Sequence, residues 1–182
     1  MTRCATGARR SLAMRDLPRL GILTTVVLFV ADQAAKYGVT GILGLDELTG
    51  ESTITSFFDL RFVANRGISM GLLHADSEAA RWGLVAMTAA IAVVVAVWMT
   101  REPNRQDQVA LGLILGGAVG NIVDRVRLGY VVDFADLHFG EWRPFLVFNI
   151  ADAAITIGVL VLLVRALLMR DKRPSSTEIP DA

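Results

Sequence analysis

Two carboxylates, Asp133 in "VVDF" and Asp152 in "FNIAD", stand near the ends of the stretch "VVDFADLHFGEWRPFLVFNIADAAITIG". The other long apolar runs of this chain are suited to lipid. Two acids held close together do not both ionise easily, so one keeps its proton while the other is a base. Such a pair can hydrolyse a peptide bond. The ionised acid takes a proton from water, and its partner polarises the carbonyl and later protonates the leaving amine. The reversal expected at "GEWRP" would bring Asp152 back towards Asp133. Spacing alone leaves Asp32, Asp124 and Asp136 as rivals.

The elements that must position these groups are membrane helices. At 53% hydrophobic with a mean hydropathy of +0.50, the chain of 182 residues is too apolar for an ordinary soluble domain. Four segments approach the roughly 20 apolar residues needed to cross a bilayer: about 20–39, 82–99, 109–125 and 151–169. The second, "WGLVAMTAAIAVVVAVWM", carries no charge and has a Trp near each end, as expected of interfacial anchors. Helix 1 carries Asp32 and Lys36 and lacks a small-residue cleavage site after its apolar core, so it reads as a retained helix rather than a signal peptide. The arrangement divides into a cytoplasmic tail over 1–19, a membrane domain over 20–169 with outer loops at about 40–81 and 126–150, and a second cytoplasmic tail over 170–182.

Basic residues orient the bundle. Arg3, Arg9, Arg10, Arg15 and Arg19 precede helix 1, Arg101 and Arg105 fill the turn after helix 2, and Arg170, Lys172 and Arg173 follow helix 4. These positions share one side of a four-helix topology, which predicts that both termini are cytoplasmic. Helices 1 and 3 then run outward and helix 4 inward. Asp32 and Lys36 fall one turn apart near the outer end of helix 1, where they can pair. Asn121, Asp124 and Arg125 fall at the outer end of helix 3, and Asn149 and Asp152 at the outer start of helix 4. A charge in hydrocarbon costs roughly 2.5 to 3.5 kcal/mol on insertion scales, so several at one depth imply a shared site. Taken singly, each has a blander role; Asn149 could cap helix 4 with Asp152 in its first turn. The outer segments "STITSFFDLRFVANRGISMGLL", "GYVVDFADLHF" and "WRPFLVF" mix β-branched and aromatic residues with turn formers, which predicts short strands against the outer membrane surface.

Other classes are poorly served. The 18 basic and 18 acidic residues cancel, leaving no overall field to attract nucleic acid. Cys4 cannot form an internal disulfide, and His74 and His138 are the only histidines, which makes a weak metal site. Met14 is a possible alternative start, and both polar tails are expected to be loosely ordered.

In order along the chain, "ADQAAK", "NRGISMGLL", "GGAVGNIVDRVRLGYVVDF" and "FNIADAAITIG" closely resemble the lipoprotein signal peptidases, the signal peptidase II family of bacterial membrane aspartic peptidases. The resemblance covers helix 1 to the end of helix 4. It implies an all-α polytopic membrane fold of four transmembrane helices with a small extracytoplasmic β-cradle. The implied reaction is removal of signal peptides from prolipoproteins, immediately before a cysteine already carrying diacylglycerol. It selects Asp133 and Asp152 as the catalytic dyad. It also implies supporting or substrate-holding roles for Asn65 and Gly67 of the "NxG" motif, for Asn121, Asp124 and Arg125, for Asn149, and for Asp32 and Lys36. The implied partners are the lipidated precursor and membrane lipid, with no nucleic acid, no metal or organic cofactor, and a monomeric enzyme in the bacterial cytoplasmic membrane, its site near the outer leaflet. One departure stands out: where the family commonly has "NTGAAF", this chain has "NRGISM", so Met70 takes a usually aromatic place and Arg66 adds a charge.

Two other readings compete. A small proton- or cation-handling transporter would also place acids in the membrane, but here they gather at one leaflet and helix 2 supplies none. An assembly subunit held by polar helix contacts would account for Asn121 and Lys36, but not for paired acids beside a loop.

Overall fold

A computed structural model describes residues 17–49, 51–67 and 78–170, with side chains described as far as Leu168. Cys4, Met14, Met70, His74 and both expected tails beyond these bounds lie outside the described residues. Within them the chain forms helices α1 (Arg19–Tyr37), α2 (Glu78–Arg101), α3 (Arg105–Leu128) and α4 (Ile150–Arg170), and strands β1 (Glu51–Thr55), β2 (Phe58–Asn65) and β3 (Val131–Leu137). A five-residue π-helical turn, Gly38–Ile42, prolongs α1. All four helices are long and apolar enough to span a membrane. Helices α2 and α3 run beyond their expected apolar spans of 82–99 and 109–125 at both ends. Asn104 caps α3 by accepting from Gln106 N and Asp107 N, and Gly129, at φ 86°, closes it in the left-handed conformation that glycine adopts most readily.

Helix α3 is the most enclosed of the four and packs against each of the others. Its glycines explain the close approach. A Cβ added at Gly112 would lie 2.5 Å from Gly21 O of α1, one at Gly116 2.8 Å from Thr25 O, and one at Gly117 2.5 Å from Ala151 O of α4. With no hydrophobic drive between helices in lipid, such backbone approach supplies the packing contacts that hold a bundle. Val26, Val27 and Val30 of α1, Val93 and Val94 of α2, and Leu160 and Leu163 of α4 stay exposed, forming a lipid-compatible outer surface. At the end of the bundle formed by the starts of α1 and α3, Arg165 of α4 binds Asp107 and Gln106.

At the opposite end the three strands form an antiparallel sheet in the order β1-β2-β3. Val132, Phe134 and Ala135 of β3 cluster with Val39 of the π-turn and Leu45, seating the sheet on the end of α1. The third segment expected to form a strand, "WRPFLVF", does not. It makes only isolated bridges, Phe139 to Trp142 and Ala135 to Phe148, because Pro144 cannot donate to a ladder. Gly140, at φ 65°, turns the chain between the first bridge pair. The reversal expected at "GEWRP" is therefore present.

Candidate active site

Polar groups from the ends of α1 and α3, the start of α4 and strands β2 and β3 converge at one end of the bundle. Strand register decides one of them. Between Leu60 and Val63 the pairing with β3 shifts, so that Leu60 opposes Ala135 while Val63 opposes Asp133. The extra residue in β2 reverses which side chains share the face of Asp133. Asn65 consequently reaches across, its Nδ2 donating to Asp133 Oδ2 at 2.9 Å. The other carboxylate oxygen, Oδ1, accepts from Asn149 Nδ2 at 2.6 Å.

Asn149 also begins α4. Its Oδ1 accepts from Asp152 N at 2.9 Å, which fixes the first turn carrying Asp152. Asp152 is half-buried, and its Oδ1 accepts from Asn121 Nδ2 at 2.8 Å. The orientation of the Asn121 amide follows from its other partners. Its oxygen accepts from Lys36 Nζ at 3.2 Å and from Asn149 Nδ2 at 3.3 Å, leaving the nitrogen for Asp152.

Beneath this layer lies a buried ionic core. Lys36 Nζ is 2.8 Å from Asp32 Oδ2 and 2.7 Å from Asp124 Oδ2, all three residues being almost fully enclosed. The acids are fixed further. Asp32 Oδ1 accepts from Ala151 N of α4 at 3.0 Å, and Asp124 Oδ2 from Val132 N of β3 at 3.3 Å. Gln33, which motif reasoning did not single out, donates to Asp124 Oδ1 at 2.9 Å and to Asp32 Oδ2 at 3.3 Å. Its signal was its place between Asp32 and Lys36 at the polar end of an apolar helix.

Of the residues expected to share a site, Asp32, Lys36, Asn65, Asn121, Asp124, Asp133, Asn149 and Asp152 thus form one connected network. Gly67 meets it only through Asn65, whose Oδ1 accepts from Gly67 N at 3.2 Å. Arg125 stands at its edge, within electrostatic range of Asp152, Asp133 and Asp124, with its buried Nε unpartnered among the described residues.

The rivals for the pair are separated by their counter-charges. Asp32 and Asp124 share Lys36, and Asp136 is bound by Arg143. Among the described acids of the cluster, Asp133 and Asp152 alone are held by neutral amides without an ion pair. Burial pushes the Asp133 carboxyl up to about 6, helped by the nearby charge of Asp152 and opposed by the Asn65 and Asn149 bonds and by Lys36. Beside Asp152 opens an apolar cleft of about 380 Å³, lined by Leu137, Phe145, Leu146, Phe148, Thr156 and Ile157.

Residues 24–168 match the family described as Signal peptidase (SPase) II. The chain belongs to the signal peptidase II family. It is 55% identical over 160 residues to a lipoprotein signal peptidase of Rhizorhabdus wittichii, covering 87% of this chain and 92% of that one. A second lipoprotein signal peptidase, from Sphingopyxis alaskensis, is 54% identical over 154 residues, covering 85% and 88%. A bacterial membrane enzyme solved in meso at 2.3 Å resolution superposes with a TM-score of 0.70 at 29% identity, covering 87% of this chain and 93% of that one. Membership makes the protein an aspartic peptidase of the signal peptidase II class, and its four apolar helices make it a multi-pass membrane enzyme.

Proposed function

We propose that the protein removes signal peptides from prolipoproteins by hydrolysing the bond before a diacylglyceryl-modified cysteine, with Asp133 and Asp152 as the dyad that activates water. The observation that carries this reading is that, among the described residues, neither carboxylate makes an ion pair, whereas their rivals are locked in ion pairs. An ion-paired acid is held in its charged form, whereas amide-held acids close enough to repel can share one proton. In the reaction, water adds to the scissile carbonyl carbon and gives its proton to the ionised carboxylate. The protonated partner donates to the carbonyl oxygen. Collapse of the tetrahedral species breaks the C–N bond, and the nitrogen leaves with a proton as the new N-terminal amine of the cysteine.

The surroundings suit a substrate that never leaves the bilayer. A lipidated precursor keeps its acyl chains and its signal helix in lipid, so water and acids must be supplied at the membrane boundary. The apolar cleft beside Asp152 offers a place for an apolar part of that substrate. The arginines at the opposite end of the bundle, Arg19, Arg101 and Arg105, favour a cytoplasmic location for that end and for both termini. The dyad then faces the outer leaflet of the bacterial cytoplasmic membrane.

The deciding experiment is a gel-shift cleavage assay on purified enzyme with a prolipoprotein, with and without its diacylglyceryl group. Asp133→Asn and Asp152→Asn are each expected to abolish cleavage while remaining folded in detergent. Near-normal cleavage by either variant removes that residue from the mechanism, and cleavage indifferent to the lipid contradicts the substrate assignment.

A further inference from the structure

We propose that Arg143 is a positioning residue for substrate binding, its ion pair with Asp136 holding the apolar wall of the cleft beside Asp152. The inference rests on the reading of that cleft as a substrate site. Phe145 and Leu146 form its outer wall, and both are well exposed, at 61% and 72%. They also line a second cavity of about 290 Å³ on their other side, whose remaining walls include Arg61, Asp136 and Arg143. The segment thus lines both cavities, and among the described residues Phe145, Leu146 and Val147 belong to neither buried core cluster. Its ends are tied by backbone bridges, Phe139 to Trp142 and Phe148 to Ala135. Between those ties the side-chain anchor is Arg143 Nη1 on Asp136 Oδ2.

The anchor is strong for a reason rooted in the sheet. Asp136 is 1% exposed and lies directly opposite Asp59 in the β2–β3 register. Like charges facing one another across strands are unfavourable, and a buried carboxylate requires a counter-charge. Asp59 has His138 beside it, with Nε2 3.0 Å from its Oδ2, a counter-charge only when that imidazole is protonated. Asp136 finds Arg143, so releasing Arg143 would strand a buried acid beside another. That penalty pins the start of the segment, immediately before Pro144, whose ring restricts the chain leading to Phe145. Asn149 and Asp133 are joined independently of this pair, so the dyad is expected to stay assembled when it is broken.

The test is steady-state kinetics of purified full-length variants on lipidated precursor. Arg143→Gln is expected to raise KM about tenfold while kcat stays within about twofold, the pattern of lost binding, and Arg143→Lys to recover most of the loss. If Arg143→Gln does not fold, the Asp136→Ala/Arg143→Ala double variant leaves neither charge stranded and carries the same expectation. An unchanged KM in the folded variant, or a fall confined to kcat, overturns the proposal. The Phe145→Ser/Leu146→Ser variant separates it from its premise. A raised KM there with a normal one for Arg143→Gln refutes the anchor alone, whereas a normal KM in both refutes the cleft as a substrate site.

Discussion

Asn149 joins the two acids through opposite ends of one amide: its nitrogen donates to Asp133 Oδ1 at 2.6 Å, and its oxygen caps the turn that carries Asp152. A donor to a carboxylate favours the ionised form. Asn149→Ala therefore raises the Asp133 pKa further and removes a helix cap worth about 1 kcal/mol. The basic limb of the kcat/KM profile, where the dyad loses its shared proton, is expected to move to higher pH, with a lower melting temperature in detergent. Asn65→Ala, which removes the donor to Oδ2, shifts the limb in the same direction without the loss of the cap.

The parent enzyme should itself lose activity as pH rises through about 6, where the Asp133 carboxyl, pushed up by burial, gives up the proton that the dyad shares. Stability runs the same way. A carboxyl whose folded pKa lies above its ordinary 3.8 contributes stability that is fully present below that value and is lost as pH rises through about 6. Asp133→Asn removes this dependence. Its melting temperature relative to the parent is expected to climb as pH is raised across that window, and a constant difference from pH 4 to 8 would contradict the assignment.

Lys36→Met strands Asp32 and Asp124 in the bundle, where loss of a buried partner costs about 3 to 5 kcal/mol. It also removes one of the two donors that orient the Asn121 amide facing Asp152. Arg66→Met, which breaks the exposed contact to Glu47 at 3.9 Å, should change stability by no more than about 1 kcal/mol. Thermal melts of the two variants in one detergent make the comparison.

Glycines offer a steric counterpart. A Cβ at Gly120 would lie 2.6 Å from Asp32 Oδ2, so Gly120→Ala must displace the acid that holds Ala151 N. Both activity and melting temperature should fall. Gly38→Ala meets nothing within 4 Å and has an ordinary right-handed helical backbone, so it should be neutral or stabilising by up to about 1 kcal/mol. Parallel melts and cleavage rates distinguish the two positions.

Much of this was legible in the residues. Hydropathy found four helices, and one-turn spacing found the Asp32–Lys36 pair. The motifs around Asn65, Asn121 and Asn149 picked out all three side-chain amides that hold Asp133 and Asp152. What local patterns did not reveal depends on register and on distant backbone. The β2 irregularity that turns Asn65 towards Asp133 is a property of the pairing, not of "FDLRFVAN" alone. Gln33 looked ordinary because its partners lie on α3, and Asp32 gave no hint that its second oxygen would hold the start of α4. "WRPFLVF" resembled a strand in composition, yet only its last residue is bridged to β3.

The hydrogen bond from Ala151 N to Asp32 Oδ1 ties the first membrane helix to the last. A growing chain complete only as far as β3 would carry Asp133 but would lack Asn149, Asp152 and the backbone group that occupies Asp32. With Asp133 and Asp152 as the proposed dyad, hydrolytic competence would arise only once α4 docks, so partly inserted chains would be inert towards neighbouring polypeptides in the membrane during biogenesis.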